Sequence, residues 1–533
     1  MKYLTLAIIL FFVLLACKMK TRGENADDFV NSTVVSTDLK NSPASTSPFK
    51  NYLHVNAFEW DVTQQDRPDL IDEKKLNLLK SFSGIRHYLD WMRIEHKQGQ
   101  YTFNPNRNGG WNYDLIYQKL KEANIDVLVD LKDCPDWLMN TYPEKQRAND
   151  NVPAPYGLDR NKPESYAIQA KAGFQFAARY GSNKNIDSSL VTVDQSLRWN
   201  GDKANVIKIG LGFIKYMECD NERDKWWKGK QAQLSPEEYA ANMSAFYDGN
   251  KGKMGKNVGV KTADPNIVVV MGGLATADPD FVIKMINWCK KNRGLKKDGT
   301  VDLCFDVINY HLYANNGFLN NGRATVGVAP ELSNIGDVAD QFMQMAEKNT
   351  PNVPVWITET GYDIGEHTPQ RAIAIGKKTA SITQADWNLR TALLYARKSL
   401  QKCMFYMLDD VDSTSHIQYS SSGFVNGNLS RRPSADYMLQ TKNLLGNYFY
   451  QATLSADPIV DLYKLKQHEI YVLTIPDQKG RTATYNLDLG SSKQAIIHTL
   501  QPGKDVMMSR TVNTIKGKLK VQVSETPIFV EKR

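Results

Sequence analysis

The chain has 533 residues, 42% hydrophobic and 10% aromatic, which allows one large domain plus a smaller one and excludes disorder as the default. Its formal net charge is +8, from 66 Lys and Arg against 58 Asp and Glu. The basic residues are dispersed, and runs such as "KKNRGLKK" (290–297) and "KGKMGK" (251–256) read as solvated helix ends and loops, so no nucleic-acid partner is expected.

The first residues, "MKYLTLAIILFFVLLACKMK", place a Lys before an apolar run of about fourteen residues that ends in Leu14-Leu15-Ala16-Cys17. That run is short for a bilayer span and has the layout of a signal peptide (1–17). Leu-Leu-Ala-Cys resembles the bacterial lipobox, which implies cleavage before Cys17, acylation of its thiol and a lipid-anchored protein of the cell envelope. The outer membrane is favoured, because Lys18 stands where an inner-membrane retention signal carries Asp. A plain signal peptide with an incidental Cys is the alternative. Residues 18–48, rich in Ser, Thr, Asn and Lys, read as a flexible tether. Cys134, Cys219, Cys289, Cys304 and Cys403 are widely spaced and sit mostly inside apolar runs. They read as buried thiols, without zinc spacing or a disulfide framework.

From 49 to 445, strand-like runs alternate with amphipathic segments. The runs are "YLHVNAF" (52–58), "IRHYLDW" (85–91), "IDVLVDL" (125–131), "IKYME" (214–218), "IVVVMGG" (267–273), "FDVINYHLY" (305–313), "VPVWITET" (353–360) and "KCMFYML" (402–408). Between them, 112–124, 163–181, 235–252, 278–292, 335–349 and 387–400 repeat apolar residues at helical spacing, and "SPEE" opens one with a Ser N-cap and Pro at its first position. Eight strands alternating with helices predict a (β/α)8 TIM barrel. A doubly wound sheet is the rival, but the glycine-rich phosphate turn it usually carries is missing. The stretch 182–214, between a helix and the fourth strand, is expected to wall one side of a cleft. Beyond 445 helical spacing disappears. "HEIYVLTIPD", "GRTATYNLDL", "KQAIIHTLQPG" and "GKLKVQVSETPIFVEK" alternate as short strands, predicting a β-sandwich over 446–533, with a strand from residues 45–52 as a possible addition.

A barrel collects its reactive residues at the C-terminal ends of its strands. Glu222, in "YMECDNERDKWW", follows the fourth run, and Glu359, in "WITETGYD", ends the seventh. Paired carboxylates suit glycoside hydrolysis, where one protonates the leaving oxygen and the other attacks or activates water. Trp60, Trp91, Trp137, Trp226, Trp227 and Tyr313 near strand ends suit stacking on sugar faces. A metal-dependent hydrolase would need clustered His and Asp ligands. With eight His and no H-x-H, no metal or other cofactor is expected.

These elements resemble glycoside hydrolase clan A, the retaining (β/α)8 glycosidases. Asn221-Glu222 is similar to the clan's fourth-strand acid/base motif, and Glu218 before it has the spacing of family 39 and its relatives. "VWITETGYD" resembles the nucleophile segment, "INYHLY" the sixth strand and "IRHYLDW" the second. The resemblance implies that Glu222 is the acid/base and Glu359 the nucleophile. It further implies that Asn221 binds the sugar 2-hydroxyl, that Arg86 keeps Glu359 ionised, and that His311 and Tyr313 orient the acids. Glu218 reads as a structural carboxylate bracing its loop, and Asp363 and Glu366 as loop acids. The clan's eighth-strand Trp is missing: "CMFYMLDD" offers Phe405 and Tyr406, and Tyr406 is the candidate replacement platform. Trp137 and Trp227 are further candidates for binding substrate. The expected partner is a β-linked oligo- or polysaccharide, cut by a monomeric enzyme, with endo action favoured over exo. A non-catalytic glycan-binding lipoprotein on a degenerate barrel is the remaining alternative.

Overall fold

The computed structural model describes residues 44–533. The expected signal peptide, Cys17 and the expected tether up to residue 43 lie outside the described residues. Among the described residues no helix is long and apolar enough to cross a membrane.

Eight strands form one parallel sheet: β1 (His54–Ala57), β2 (Gly84–Asp90), β3 (Asp126–Lys132), β4 (Tyr216–Cys219), β5 (Val268–Met271), β6 (Ile308–His311), β7 (Val355–Glu359) and β8 (Lys402–Phe405). They pair in the order β5-β4-β3-β2-β1-β8-β7-β6. Parallel bridges Val270–Val307 and Leu274–Tyr310 join the two ends and close the barrel. Each strand is followed by a helix: α1 (Glu73–Leu79), α2 (Tyr113–Glu122), α3 (Ala167–Tyr180), α4 (Pro236–Asp248), α5 (Pro279–Asn292), α6 (Ile335–Asn349), α7 (Ala380–Arg397) and α8 (Pro433–Leu445). The fold is therefore the expected (β/α)8 barrel. Helix α4 starts as its sequence requires. Ser235 accepts from the Glu238 amide, Glu238 returns to the Ser235 amide, and Pro236 occupies the first turn.

Inside the barrel, Leu128, Val270, Val307, Trp356 and Met404 form an apolar plug, with Tyr216 packed on it. Side chains alternate along a strand, so the residue two positions further on faces inward as well. That step carries Leu128 to Asp130, Tyr216 to Glu218, Val307 to Asn309, Trp356 to Thr358 and Met404 to Tyr406. The interior thus turns from apolar to polar one layer before the strands end.

The C-terminal strands are β9 (Phe449–Ala456), β10 (Ile459–Leu465), β11 (His468–Thr474), β12 (Ala483–Asp488), β13 (Gln494–Thr499), β14 (Met508–Asn513), β15 (Lys518–Val523) and β16 (Ile528–Lys532). An antiparallel sheet β9-β10-β11-β16-β13-β14 and the pair β12–β15 make the β-sandwich. Its core holds Val460, Leu473, Leu487, Ile497, Val521 and Val530. The stretch 45–52 adds a bridge, Pro48 to Phe449, and a Ser45 N–H bond to Tyr450 O before Phe49–Tyr52 closes into a 3-10 turn, so residues 45–48 pack on β9 where a tether was expected.

The stretch 182–214 is irregular and packs on the loop after β2. Asn205 accepts from the Phe103 and Asn104 amides at 2.7 and 2.9 Å, and the Asp194 amide donates to Tyr101 O. These contacts support that loop.

Candidate active site

Strand β2 places Arg86 and Tyr88 on the inward face, two residues apart. Arg86 is fully buried, and its fork is divided among acids from three other strands. Nε and Nη2 donate to Glu218 at 2.7 and 2.9 Å, Nη2 to Asp130 at 3.1 Å, and Nη1 to Glu359 at 2.9 Å. Nη2 also donates to Asn221 Oδ1 at 2.9 Å, which orients that amide. Glu218 braces Arg86, and it also accepts from the Gly273 amide and Asn309 Nδ2. Burial pushes the Asp130 carboxyl well above its usual range, with Arg86 opposing and Glu218 adding.

The crowded charges after β4 each have a partner. Asp220 pairs with Arg223, and Asp224 accepts from the Ala275 and Thr276 amides at 3.0 and 2.7 Å. These contacts hold a chain whose Asp220 and Glu222 take φ of 68° and 53°, left-handed values disfavoured without glycine. The turn aims Glu222 at His311, whose Nδ1 lies 2.9 Å from Glu222 Oε1 and 3.4 Å from Glu359 Oε1. His311 Nε2 lies 3.0 Å from Thr358 Oγ1, which is bonded in turn to Asn309. Gly273 is obligatory here, because a Cβ would stand 2.0 Å from His311 Nε2.

Donor atoms of Glu222, His311 and Glu359 all lie within 4.8 Å of one another. The two carboxylates nevertheless differ. Glu359 keeps 9% of its side-chain exposure and Glu222 keeps 23%. Tyr313 donates to Glu359 Oε2 at 2.9 Å, and Tyr88 donates to Oε1. Burial pushes the Glu359 carboxyl up, but the His311 and Arg86 charges and the two phenols outweigh it, leaving it below its usual range. Burial pulls His311 down, but Glu359 and Glu222 outweigh that, and its pKa is raised. A metal ion suits this trio poorly. The 2.9 Å separation of Glu222 and His311 is a hydrogen-bond length, and the Arg86 cation already occupies Glu359.

Aromatic rings surround Glu359. Tyr88 meets Tyr406 edge-on at 6.1 Å, Tyr406 meets Tyr419 at 6.1 Å, and Tyr419 meets Tyr313 at 4.9 Å. Trp60 stacks on Phe58 at 4.5 Å and Phe58 on Tyr88 at 5.4 Å, a ladder from solvent to the carboxylate. Phe405 is core, packed on Phe424, so Tyr406 takes the position at the end of β8. The structure brings together Glu222, Glu359, Arg86, Asn221, His311, Tyr313 and Tyr406. Trp137 and Trp227 stand apart from them. Trp137 donates to Glu95 O and packs edge-on against Trp91, a core residue, while Trp226 and Trp227 are exposed on the loop after Glu222. Asp363 is buried and accepts from the Tyr419 amide, whereas Glu366 is exposed. Tyr88, Asn309, Thr358 and Tyr419 were not read from the sequence. Alternation from Arg86 and His311 reaches Tyr88 and Asn309, but nothing local marks Tyr419.

No protein-family model and no curated protein matches the chain. Solved structures do. A family 39 glycoside hydrolase from the gut symbiont Bacteroides cellulosilyticus WH2 aligns over 91% of this chain and 81% of its own, at 17% identity and TM-score 0.59. These proteins share one fold. A GH30 endoxylanase from Clostridium papyrosolvens C71 aligns over 92% and 98%, at 12% identity and TM-score 0.53. A family 51 α-L-arabinofuranosidase from Bifidobacterium longum aligns over 93% and 98%, also at 12% and 0.53. The likeness runs through barrel and sandwich alike.

Proposed function

We propose that the protein is a retaining glycoside hydrolase acting on a β-linked glycan. One observation carries the reading: two carboxyls at the ends of β4 and β7, within 4.8 Å, one held ionised and the other more open to solvent. Separations of about 5 Å belong to double displacement, where no water fits between the acids. Glu359 attacks the anomeric carbon as the glycosidic C–O bond breaks and Glu222 gives its proton to the leaving oxygen. Water then attacks the glycosyl–enzyme, giving its proton to Glu222 as Glu359 departs. Arg86, Tyr88 and Tyr313 keep the nucleophile charged, and Asn221 is placed to meet the sugar 2-hydroxyl. Tyr406 serves as platform in the cleavage subsite.

Endo action is favoured over exo because exposed aromatics stand on two of the loops that follow barrel strands, Trp60 after β1 and Trp226–Trp227 after Glu222. Trp227 and Trp137 are the proposed outer subsites. We also propose that acylation of Cys17 anchors a monomeric enzyme to the cell envelope, a reading that loss of lipid labelling in Cys17→Ser would support. The function is tested by screening wild type and Glu359→Ala on β-glucans, xylans, mannans, galactans and uronic-acid polymers. Glu359→Ala should lose at least roughly 10⁴-fold in rate, and azide should restore turnover as a glycosyl azide of inverted configuration. Undiminished hydrolysis by Glu359→Ala would overturn the assignment.

A further inference from the structure

The opposite end of the barrel holds a second concave site. A cavity of about 400 Å³ opens where β1 to β4 begin, lined among others by Lys50, His54, Ser83, Lys121, Asp126 and Lys215. The apolar plug separates these strand starts from Glu222 and Glu359. Three features set it apart from an ordinary solvated surface. The first is charge: Lys50, Lys121 and Lys215 face one carboxylate, Asp126, which already lies 3.5 Å from Lys402, the first residue of β8. Among the described residues neither Lys50 nor Lys215 has an acidic partner. The second is a buried ammonium that its surroundings oppose. Burial, and behind it the Lys215 and Lys50 charges, hold Lys402 below its usual pKa in spite of Asp126, and its Nζ faces the Tyr216 and Trp356 rings. The third is unmet hydrogen bonding. His54 is 1% exposed, forms part of the cavity wall, and its Nε2 has no partner; the buried Ser83 Oγ has none either. Buried polar atoms without partners are uncommon and point to a missing ligand or water.

We propose that this recess binds a phosphate group. An oxyanion there would accept from the lysine ammoniums, Ser83 and the His54 ring, and would offset repulsion among Lys50, Lys215 and Lys402. Its volume exceeds a bare ion's, which leaves room for the group that carries the phosphate, either a small sugar phosphate or a phospholipid headgroup. The site is independent of the proposed glycosidase reaction, and neither stands or falls with the other.

The test uses the full chain and its Lys50→Gln/Lys215→Gln variant, which alters two exposed side chains remote from Glu222 and Glu359. Inorganic phosphate, glucose 6-phosphate, and vesicles of phosphatidylcholine with or without phosphatidylglycerol are titrated at matched ionic strength, with chloride as control. Saturable binding to a phosphate-bearing probe, with a rise in thermal midpoint that chloride does not reproduce, is expected. The variant should bind at least about tenfold more weakly, the loss of two charge-assisted contacts. Binding of the soluble probes or of the phosphatidylglycerol vesicles identifies the source. No binding, or equal binding by the variant or in chloride, would show a lysine cluster satisfied by water and overturn the proposal. His54→Gln, folded by circular dichroism, should also weaken binding. Unchanged affinity would remove the recess from the interaction.

Discussion

At the level of single residues the site rests on unequal treatment of two glutamates. Tyr88 offers the sharpest probe, because it donates to the same Glu359 oxygen as Arg86. Tyr88→Phe removes a bond made to the ionised form, so the Glu359 pKa should rise and the acid limb of the kcat/KM profile should move to higher pH. A rate loss of roughly 10- to 100-fold at neutral pH matches a hydrogen bond to a charged group. An unmoved acid limb would mean that Tyr88 only fills space. His311 gives a stability test with a definite sign. Its folded pKa is raised above 6.5, so its contribution is full below that value and fades as pH rises through the folded value. Denaturant unfolding of wild type and His311→Gln should therefore differ most near pH 6 and converge in alkali. Glu222 and Glu359 were legible as acids at the ends of the fourth and seventh apolar runs, and Asn221 and Arg86 through the resemblance of their runs to clan A. Tyr419 was not, since a loop after β8 brings it to Tyr313 through backbone contacts that leave no local pattern. The exposed Trp227 shows the converse: an aromatic close to the acid in sequence stands outside its ring contacts.

Elements were most legible where burial is two-sided. All eight barrel strands lie within their predicted runs or overlap them, because a parallel strand covered on both faces reads as a continuous apolar stretch. Helix α7 shows the limit. It begins at Ala380, seven residues before the first position its periodicity suggested, and it buries Thr383, Gln384, Asp386, Asn388 and Arg390 along with its apolar residues. A helix covered on several sides carries no amphipathic stripe, so spacing alone misplaces its start. The short α1 and the terminal α8 went unread for want of length and stripe, as did β9, β10 and β14, whose edges carry mixed polarity. Helix α4, by contrast, announces itself through its cap. Ser235→Ala should cost about 1 kcal/mol of stability by urea unfolding and leave activity intact. Gly273→Ala in the loop after β5 should do the reverse, displacing His311 and lowering kcat more than stability, since its Cβ would meet the imidazole at 2.0 Å.

In the whole molecule, α7 ties barrel to sandwich. Arg397 donates to Asp461 of β10 at 2.7 Å with both side chains 1% exposed, and Arg390 donates to Asp477 O at 3.0 Å. Asp461→Ala would leave the Arg397 guanidinium buried with only Glu331, 3.7 Å away, and should cost about 3 kcal/mol. Arg397→Met/Asp461→Leu should recover most of that loss, and barrel and sandwich should unfold in one transition. A smaller loss in the single than in the double variant would show that the pair does not join them. Through this frame the turn after β4 and the end of β7 bring Glu222 and Glu359 together, and the proposed chemistry depends on that placement. The most direct test is to incubate the protein with a panel of activated 2-deoxy-2-fluoro-β-glycosides and locate the adduct by peptide mass spectrometry. A stoichiometric glycosyl ester on Glu359 is predicted, formed more slowly in Glu222→Gln except with leaving groups that need no proton. An ester on another carboxylate, or hydrolysis with inverted anomeric configuration, would contradict it.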